Sequence, residues 1–223
     1  MEYSIRQNNR KGRILMDNIQ TKTNSIELAG ELSDKIELSH TVYGEKFYSC
    51  FLNIKRLSNR TDSVPVTIPE RLLIQHRIKS GDKVHIEGQL RSYNYYLKVD
   101  DLAMNKKSRL VVTAFCKNVL PYEEDVNCVK LDGYVCKTPI YRVTPFGKHI
   151  CDLLIAVNRN YGKSDYIPVI YWGENAKKAS ALTVSSNVFV TGRLQSREYE
   201  KRKDDGDITV KTTYEVSGFE LNC

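Results

Sequence analysis

An internal repeat constrains the fold of this 223-residue chain more than any other feature of its sequence. Residues 24–121 reappear, with substitutions, as residues 126–223. The matches, at offsets of 103 and then 104, include Gly30 with Gly133, Arg56 with Arg159, Gly88 with Gly192 and Phe115 with Phe219. Two copies of one domain therefore account for the length of the chain.

The second copy contains five runs rich in β-branched and aromatic residues, with turn residues between them. The predicted strands are residues 129–136, 149–157, 166–171, 188–195 and 212–219. Helix-forming residues predict a short helix between the third and fourth strands in each copy, over residues 69–79 and 174–182. The polar segment 198–211 is predicted to be a protruding hairpin loop.

Five strands with one helix between the third and fourth is the order of an OB-fold, a small Greek-key barrel. The sequence thus predicts an all-β protein with short helices and two tandem OB-fold barrels of five strands each. The predicted domains are a basic N-terminal extension (1–23), a divergent first copy (24–121) and a second copy (122–223).

The residue types that catalysis or metal binding needs are scattered along the chain. Its six cysteines and four histidines form no C-x-x-C pair, zinc ligand set or nucleophile elbow. No apolar run approaches the roughly 20 residues of a membrane span, and the N-terminus has no secretory signal. We expect a cytoplasmic binding protein rather than an enzyme, with no cofactor and no metal.

Three segments of the second copy form a distinctive combination: LLIAVNR (153–159), DYIPVIYWGENA (165–176) and VFVTGRLQSREY (188–199). Together they resemble the bacterial single-stranded DNA-binding protein (SSB) family, in its tandem OB-fold form. The resemblance implies single-stranded DNA binding in replication, recombination or repair, and a homodimer with four barrels.

Family members usually carry an acidic C-terminal tip that recruits replication and repair proteins. This chain stops at Cys223, directly after the last predicted strand. Recruitment through such a tip is therefore not expected, which would fit a phage or mobile-element origin.

A sequence-tolerant DNA binder needs aromatic faces for bases and a basic track for phosphates. By resemblance, the predicted stacking residues are Trp172, Tyr199, Tyr166 and Tyr161, with Phe146 as a further base contact. Aromatic residues in strands also pack in cores, so Trp172 and Phe146 could instead have structural roles.

The predicted phosphate contacts of the second copy are Arg159, Lys148, Arg197, Lys201 and Arg202, and the first copy adds Lys55, Arg56, Arg60 and Arg91. The first copy keeps only Tyr95, beside Tyr93 and Tyr96, of the stacking platform. The net charges are +3 for residues 1–23, +4 for residues 24–121 and 0 for the rest. This distribution predicts base stacking in copy 2 and phosphate attraction mainly in copy 1 and the extension.

Two other functions remain open from the residues alone. OB-folds host many ligands, so the barrels could form a protein-interaction module such as a primosome or replisome adaptor. The chain could also bind RNA, since stacking and phosphate contacts do not inspect the 2′-hydroxyl.

Overall fold

The computed structural model describes residues 23–96, 108–202 and 208–222. The predicted N-terminal extension lies outside this part, apart from Thr23. The first repeat contains β1 (Asn24–Leu32), β2 (Glu37–Val42), β3 (Glu45–Lys55), β4 (Thr61–Pro69), α1 (Glu70–Gln75), β5 (Lys83–Tyr96) and β6 (Ser108–Leu120). The second contains β7 (Val126–Val135), β8 (Ile140–Val143), β9 (His149–Asn158), a 3₁₀ turn (Asn160–Gly162), β10 (Ser164–Trp172), α2 (Gly173–Ser180), β11 (Asn187–Arg202) and β12 (Ile208–Asn222).

Each repeat closes into a five-stranded barrel. In the first, the strands pair in the order β1–β5–β6–β4–β3 and β3 returns to β1. In the second, the order is β7–β11–β12–β10–β9 and β9 returns to β7. The β4–β6 and β10–β12 pairs are parallel, and the other pairs are antiparallel. The predicted tandem OB-folds are confirmed, with each helix between the third and fourth barrel strands.

Apolar side chains, which alternate with polar ones along the strands, fill the cores of the two barrels. The fully buried side chains of the first barrel include Leu28, Leu52, Ile68, Ile86 and Leu90. Those of the second barrel include Leu131, Ile155, Ile167, Val190 and Leu194.

Strands β2 and β8 were missing from the prediction. They form hairpins with β3 and β9, and every side chain of both strands is exposed. Because neither strand buries a face, neither shows the alternation of apolar and polar residues on which strand prediction depends.

Two predicted boundaries were wrong. Helix α1 ends at Gln75 instead of residue 79, because Arg77 adopts a left-handed φ of 53°. Most of the expected loop at 198–211 is strand, since β11 and β12 stay paired as far as Arg202 opposite Ile208.

The strand pairing shows that one residue equivalence drawn between the two copies from the sequence was wrong. Phe115 lies opposite Gln89, and Ser217 lies opposite Arg193, the counterpart of Gln89. Phe115 therefore corresponds to Ser217 and not to Phe219. The β11–β12 hairpin is two residues shorter than β5–β6, and an even shift leaves the side chains on the same faces.

The barrels are joined through one antiparallel pair, β1 with β7. Ile26 lies opposite Val129, its own counterpart in the repeat, and Asn24 opposite Leu131 mirrors Leu28 opposite Asn127. The pairing therefore has a local pseudo-twofold axis. It joins the two barrels into one 12-stranded hydrogen-bonded sheet.

An asparagine side chain at the start of each repeat extends a ladder of the barrel. The β1–β5 ladder ends at Ile26 opposite Gly88, and beyond it the buried Asn24 side chain is the partner of Leu90. Its Oδ1 accepts from the Leu90 N–H and its Nδ2 donates to the Leu90 carbonyl, both at 2.8 Å. Asn127 makes the same two bonds with Leu194.

Replacement Asn24→Ala would leave both backbone groups of Leu90 unpaired in a buried position. We expect the free energy of unfolding in urea to fall by about 1–3 kcal/mol. Ser25→Ala, on the same strand but exposed, is the control and should change stability by less than about 0.5 kcal/mol. Equal stability of the two variants would contradict the proposed role of the amide.

Candidate functional site

A groove of about 700 Å³, which we call the Trp172 groove, is lined by both barrels. The second barrel supplies an exposed indole and most of the positive charge, and the first barrel supplies two arginines. The lining residues that matter chemically are Arg56, Arg60, Lys148, Trp172, Arg193, Arg197 and Phe219. The groove thus gathers five residues of the sequence-predicted site: Arg56, Arg60, Lys148, Trp172 and Arg197.

Trp172 is presented to the groove by the end of β10. The preceding Tyr171 is fully buried, and its hydroxyl donates to the Glu220 carbonyl. Since side chains alternate along a strand, Trp172 faces outward, with 43% of its surface exposed. The chain then turns at Gly173, whose φ of 59° suits glycine. The indole is therefore a partly exposed surface and not a core residue.

Two of the five cations in the groove are matched by buried carboxylates. Arg56 binds both carboxylate oxygens of Asp62. Arg197 binds Glu215, with 3.0 Å from Nε to Oε2. Within the described part of the chain, neither Arg60 nor Lys148 forms an ion pair with a carboxylate. The groove consequently carries excess positive charge.

Arg193 is the least satisfied cation of the groove. Its Nε is buried without a hydrogen-bond partner, 4.0 Å from Asp62 Oδ2. Its Nη2 donates to Gln195 Oε1, and its guanidinium lies over the Phe219 ring at 5.8 Å. Burial, followed by repulsion from Arg56, lowers the pKa of Arg193. Arginine nevertheless stays protonated at neutral pH, so this guanidinium adds a positive charge to the groove.

A second groove of about 660 Å³, which we call the Tyr95 groove, lies on the first barrel. It brings together three other residues of the predicted site: Arg91, Tyr95 and Arg159. Arg159 comes from the second barrel, and the first barrel supplies the other residues. The remaining lining includes His40, Thr67, Ser92, Tyr93, Thr113 and Phe115.

The two arginines of the Tyr95 groove share one fully buried carboxylate, Asp165. Arg159 donates to both oxygens of Asp165, and Arg91 Nη1 donates to Oδ2 at 3.1 Å. The backbone N–H of Ser92 also donates to this carboxylate, and Arg159 Nη2 reaches the Ser92 carbonyl. Because Asp165 and Arg159 belong to one barrel and Arg91 and Ser92 to the other, this cluster fixes the two barrels together.

Three predicted site residues lie outside both grooves. Phe146 is 91% exposed at the tip of the β8–β9 hairpin. Tyr166 is half-exposed, and its backbone N–H donates to Ser92 Oγ, which places it near the Tyr95 groove. Lys55 borders the acidic segment between the barrels, and its N–H donates to Asp125 Oδ2.

Four other predicted contacts have side chains outside the described part of the structure: Tyr161, Tyr199, Lys201 and Arg202. Sequence reasoning missed Arg193 and Phe219. Arg193 could have been found from alternation, since Arg193 and Arg197 are four residues apart on β11 and share a face.

No cluster of three or more His, Cys, Asp or Glu side chains among the described residues could hold a metal ion. No described helix has the length and apolar character to cross a membrane.

Residues 126–221 match the model of the Single-strand binding protein family. Single-stranded DNA-binding protein 1 of Staphylococcus aureus (strain COL) is 34% identical over 85 residues, covering 35% of this chain and 51% of that protein. Single-stranded DNA-binding protein A of Bacillus subtilis (strain 168) is also 34% identical over 85 residues, covering 35% and 49%. The chain spans about half the length of these curated relatives.

Two solved structures extend the similarity across both barrels. The wild-type single-stranded DNA binding protein from Thermus aquaticus has a TM-score of 0.61 and 23% identity, covering 89% of this chain and 91% of that one. A deletion variant of the same protein has a TM-score of 0.65, covering 89% and 93%. At this identity the similarity demonstrates a shared fold.

Asp165→Asn would leave Arg159 and Arg91 without their shared buried carboxylate. We expect a loss of about 3–5 kcal/mol in the free energy of unfolding, the usual cost of breaking a buried ion pair. Asp152→Asn removes the partner of Arg142 in a more exposed pair and should cost less than about 1 kcal/mol. A loss below about 1 kcal/mol for Asp165→Asn, measured in urea, would contradict the bracing role.

Proposed function

We propose that the chain binds single-stranded DNA with little sequence preference, because its second barrel, residues 126–221, matches the Single-strand binding protein family model. Such binding would protect DNA strands during replication, recombination or repair. The observation that carries the proposal is the Trp172 groove, where an exposed indole lies among cations that outnumber their carboxylate partners.

The groove has the two kinds of group that an unpaired strand needs. Phosphates are attracted by Lys148, by Arg60 and by the positive charge of Arg193. Bases stack on the indole of Trp172, at roughly 1–3 kcal/mol per stacked base. The chain acts by binding and not by catalysis, and no cofactor takes part.

The adaptor and RNA alternatives are less well supported. A protein-interaction surface would not require unpaired cations around an indole, and the similar proteins are named for binding single-stranded DNA. An RNA strand is included below as a comparison ligand, because the groove chemistry itself does not distinguish the sugars.

The single Trp of the chain permits a direct test. We expect an oligo-dT strand to quench Trp172 fluorescence more strongly than a matched duplex, and an RNA strand measures whether the protein distinguishes the two sugars. In anisotropy titrations with labelled oligo-dT, Trp172→Leu should weaken binding by about 5- to 150-fold, the equivalent of one stacked base. No binding of oligo-dT to the wild type at low salt would overturn the proposal.

Salt dependence tests the phosphate contacts separately. Lys148→Gln should reduce the slope of log K against log salt by about 0.7, the value for one phosphate contact on a single strand. Arg71→Gln removes the same charge from an exposed ion pair of α1 outside the groove and serves as the control. Equal slopes for these two variants would show that Lys148 contributes only through the overall charge of the protein.

We also propose that two chains form a homodimer with four barrels. Strands β2 and β8 are the two end strands of the sheet within one chain, and they expose Leu38, Val42, Ile140 and Val143. Exposed strand edges of this kind pair readily with another chain.

Sedimentation velocity should give twice the mass of one chain for the wild type. Ile140→Lys, on β8, should shift the protein to a monomer by adding a charge to the pairing edge. Ile74→Lys changes an equally exposed isoleucine of α1 and should not alter the mass. A monomeric wild type would refute the homodimer.

A further inference from the structure

A buried glutamate lies under the Trp172 groove. Glu215 is 2% exposed and contacts Gln195 and Arg197, two residues that line the groove. Gln195 lies directly opposite Glu215 in the β11–β12 pair, and Arg197 is two residues further along β11, on the same face. A carboxylate is unexpected beneath a surface that binds phosphates, because its charge repels them and its burial is costly.

Both carboxylate oxygens of Glu215 accept hydrogen bonds from residues of the groove. Oε2 accepts from Nε and Nη2 of Arg197, with both distances 3.0 Å. Oε1 accepts from Nε2 of Gln195 at 3.1 Å. The Gln195 amide is thereby oriented so that its own Oε1 accepts from Nη2 of Arg193 at 3.2 Å. One chain of hydrogen bonds therefore connects the two arginines of β11 through Glu215.

The direction of these bonds requires a carboxylate in this position. The side chain of Gln195 accepts through one atom and donates through the other, so it can accept from Arg193 only while its amino group meets an acceptor. An ionised carboxylate has no donor and satisfies Gln195 and Arg197 at once. A neutral amide in place of Glu215 would bring two amino groups together and release one of the arginines.

The first barrel shows that the barrel itself does not need this carboxylate. The counterparts of Glu215 and Arg197 in the first repeat are Thr113 and Tyr93. The Thr113 hydroxyl donates to the Pro65 carbonyl at 3.2 Å. The glutamate therefore accompanies Arg197, and the same fold forms around a threonine where that arginine is replaced.

We propose that Glu215 is a positioning residue of the Trp172 groove, which holds Arg193 and Arg197 in the orientation that receives the phosphates of the DNA strand. Glu215 does not itself contact the strand. It acts before binding, since long side chains that are already ordered in the free protein lose less rotamer freedom on association. The inference rests on the proposed function and identifies how the phosphate contacts of the groove are prepared.

The replacement Glu215→Gln distinguishes positioning from electrostatic repulsion by the sign of its effect. If Glu215 only repelled phosphates, removal of its charge would tighten the binding of oligo-dT. We expect weaker binding instead, by about 2- to 12-fold, the cost of ordering one long side chain on association. Anisotropy titrations of the full chain with labelled oligo-dT measure the difference.

Glu174→Gln is the matched control. Glu174 is an exposed residue of α2, and its carboxylate pairs with Lys177. The replacement removes the same negative charge without changing a partner of either arginine, so binding should be unchanged or slightly tighter. Urea unfolding curves of each variant establish that it is folded before titration.

An exchange of the two side chains tests the direction of the hydrogen bonds. Gln195→Glu combined with Glu215→Gln again places a carboxylate opposite an amide, with the total charge of the wild type. The carboxylate then accepts from Arg193 and from the amide, and the amide oxygen accepts from Arg197. Because every donor again meets an acceptor, we expect the exchange to recover most of the affinity that Glu215→Gln loses. Gln195→Glu alone places two carboxylates together and should bind more weakly than the exchange.

The outcomes separate this inference from the proposed function. Wild-type or tighter binding by Glu215→Gln refutes the positioning role and leaves the proposed function standing. An exchange variant that binds no better than Glu215→Gln also refutes it, since the direction of the hydrogen bonds would then have no effect. A wild type that fails to bind oligo-dT refutes both.

Discussion

The antiparallel pairing of β1 with β7 determines how the rest of the molecule is arranged. Because Ile26 meets its own counterpart Val129, the pairing relates the two barrels as equivalent halves. Each barrel therefore presents its β3–β4 or β9–β10 arginine to the groove of the other. A binding surface that spans both barrels follows from this one strand pair, since the backbone ladder leaves little freedom in their relative orientation.

Buried carboxylates decide which arginines remain available to a ligand. Asp62 and Asp165 lie at equivalent positions of the two repeats and bind Arg56 and Arg159. These two arginines were predicted to contact phosphates, but their role is mainly structural. Removing a carboxylate from water is costly unless it is matched by charge and hydrogen bonds, and bidentate arginine provides both. The net charge of a segment does not show which of its arginines are bound by buried carboxylates. The second copy is neutral overall, yet its groove carries the larger excess of positive charge.

The fold could be predicted from the sequence because the repeat and the strand alternation are consequences of burial. Strands β2 and β8 bury nothing and leave no such signal. The site was predictable in part: Trp172, Lys148 and Arg197 were found through a resemblance and do share a groove. The contact of Arg91 with Asp165 joins the two barrels, and spacing along the sequence does not report such a contact.

A single exchange illustrates how the two grooves diverged. The first barrel has Gln89 and Arg91 where the second has Arg193 and Gln195, and in each case the arginine donates to the glutamine. Reversing the order moves the guanidinium by two residues along the strand. Arg91 thereby reaches Asp165 at 3.1 Å, whereas Arg193 Nε stays 4.0 Å from Asp62 without a partner. The same pair of side chains thus links the two barrels in one groove and leaves a buried arginine N–H without a partner in the other.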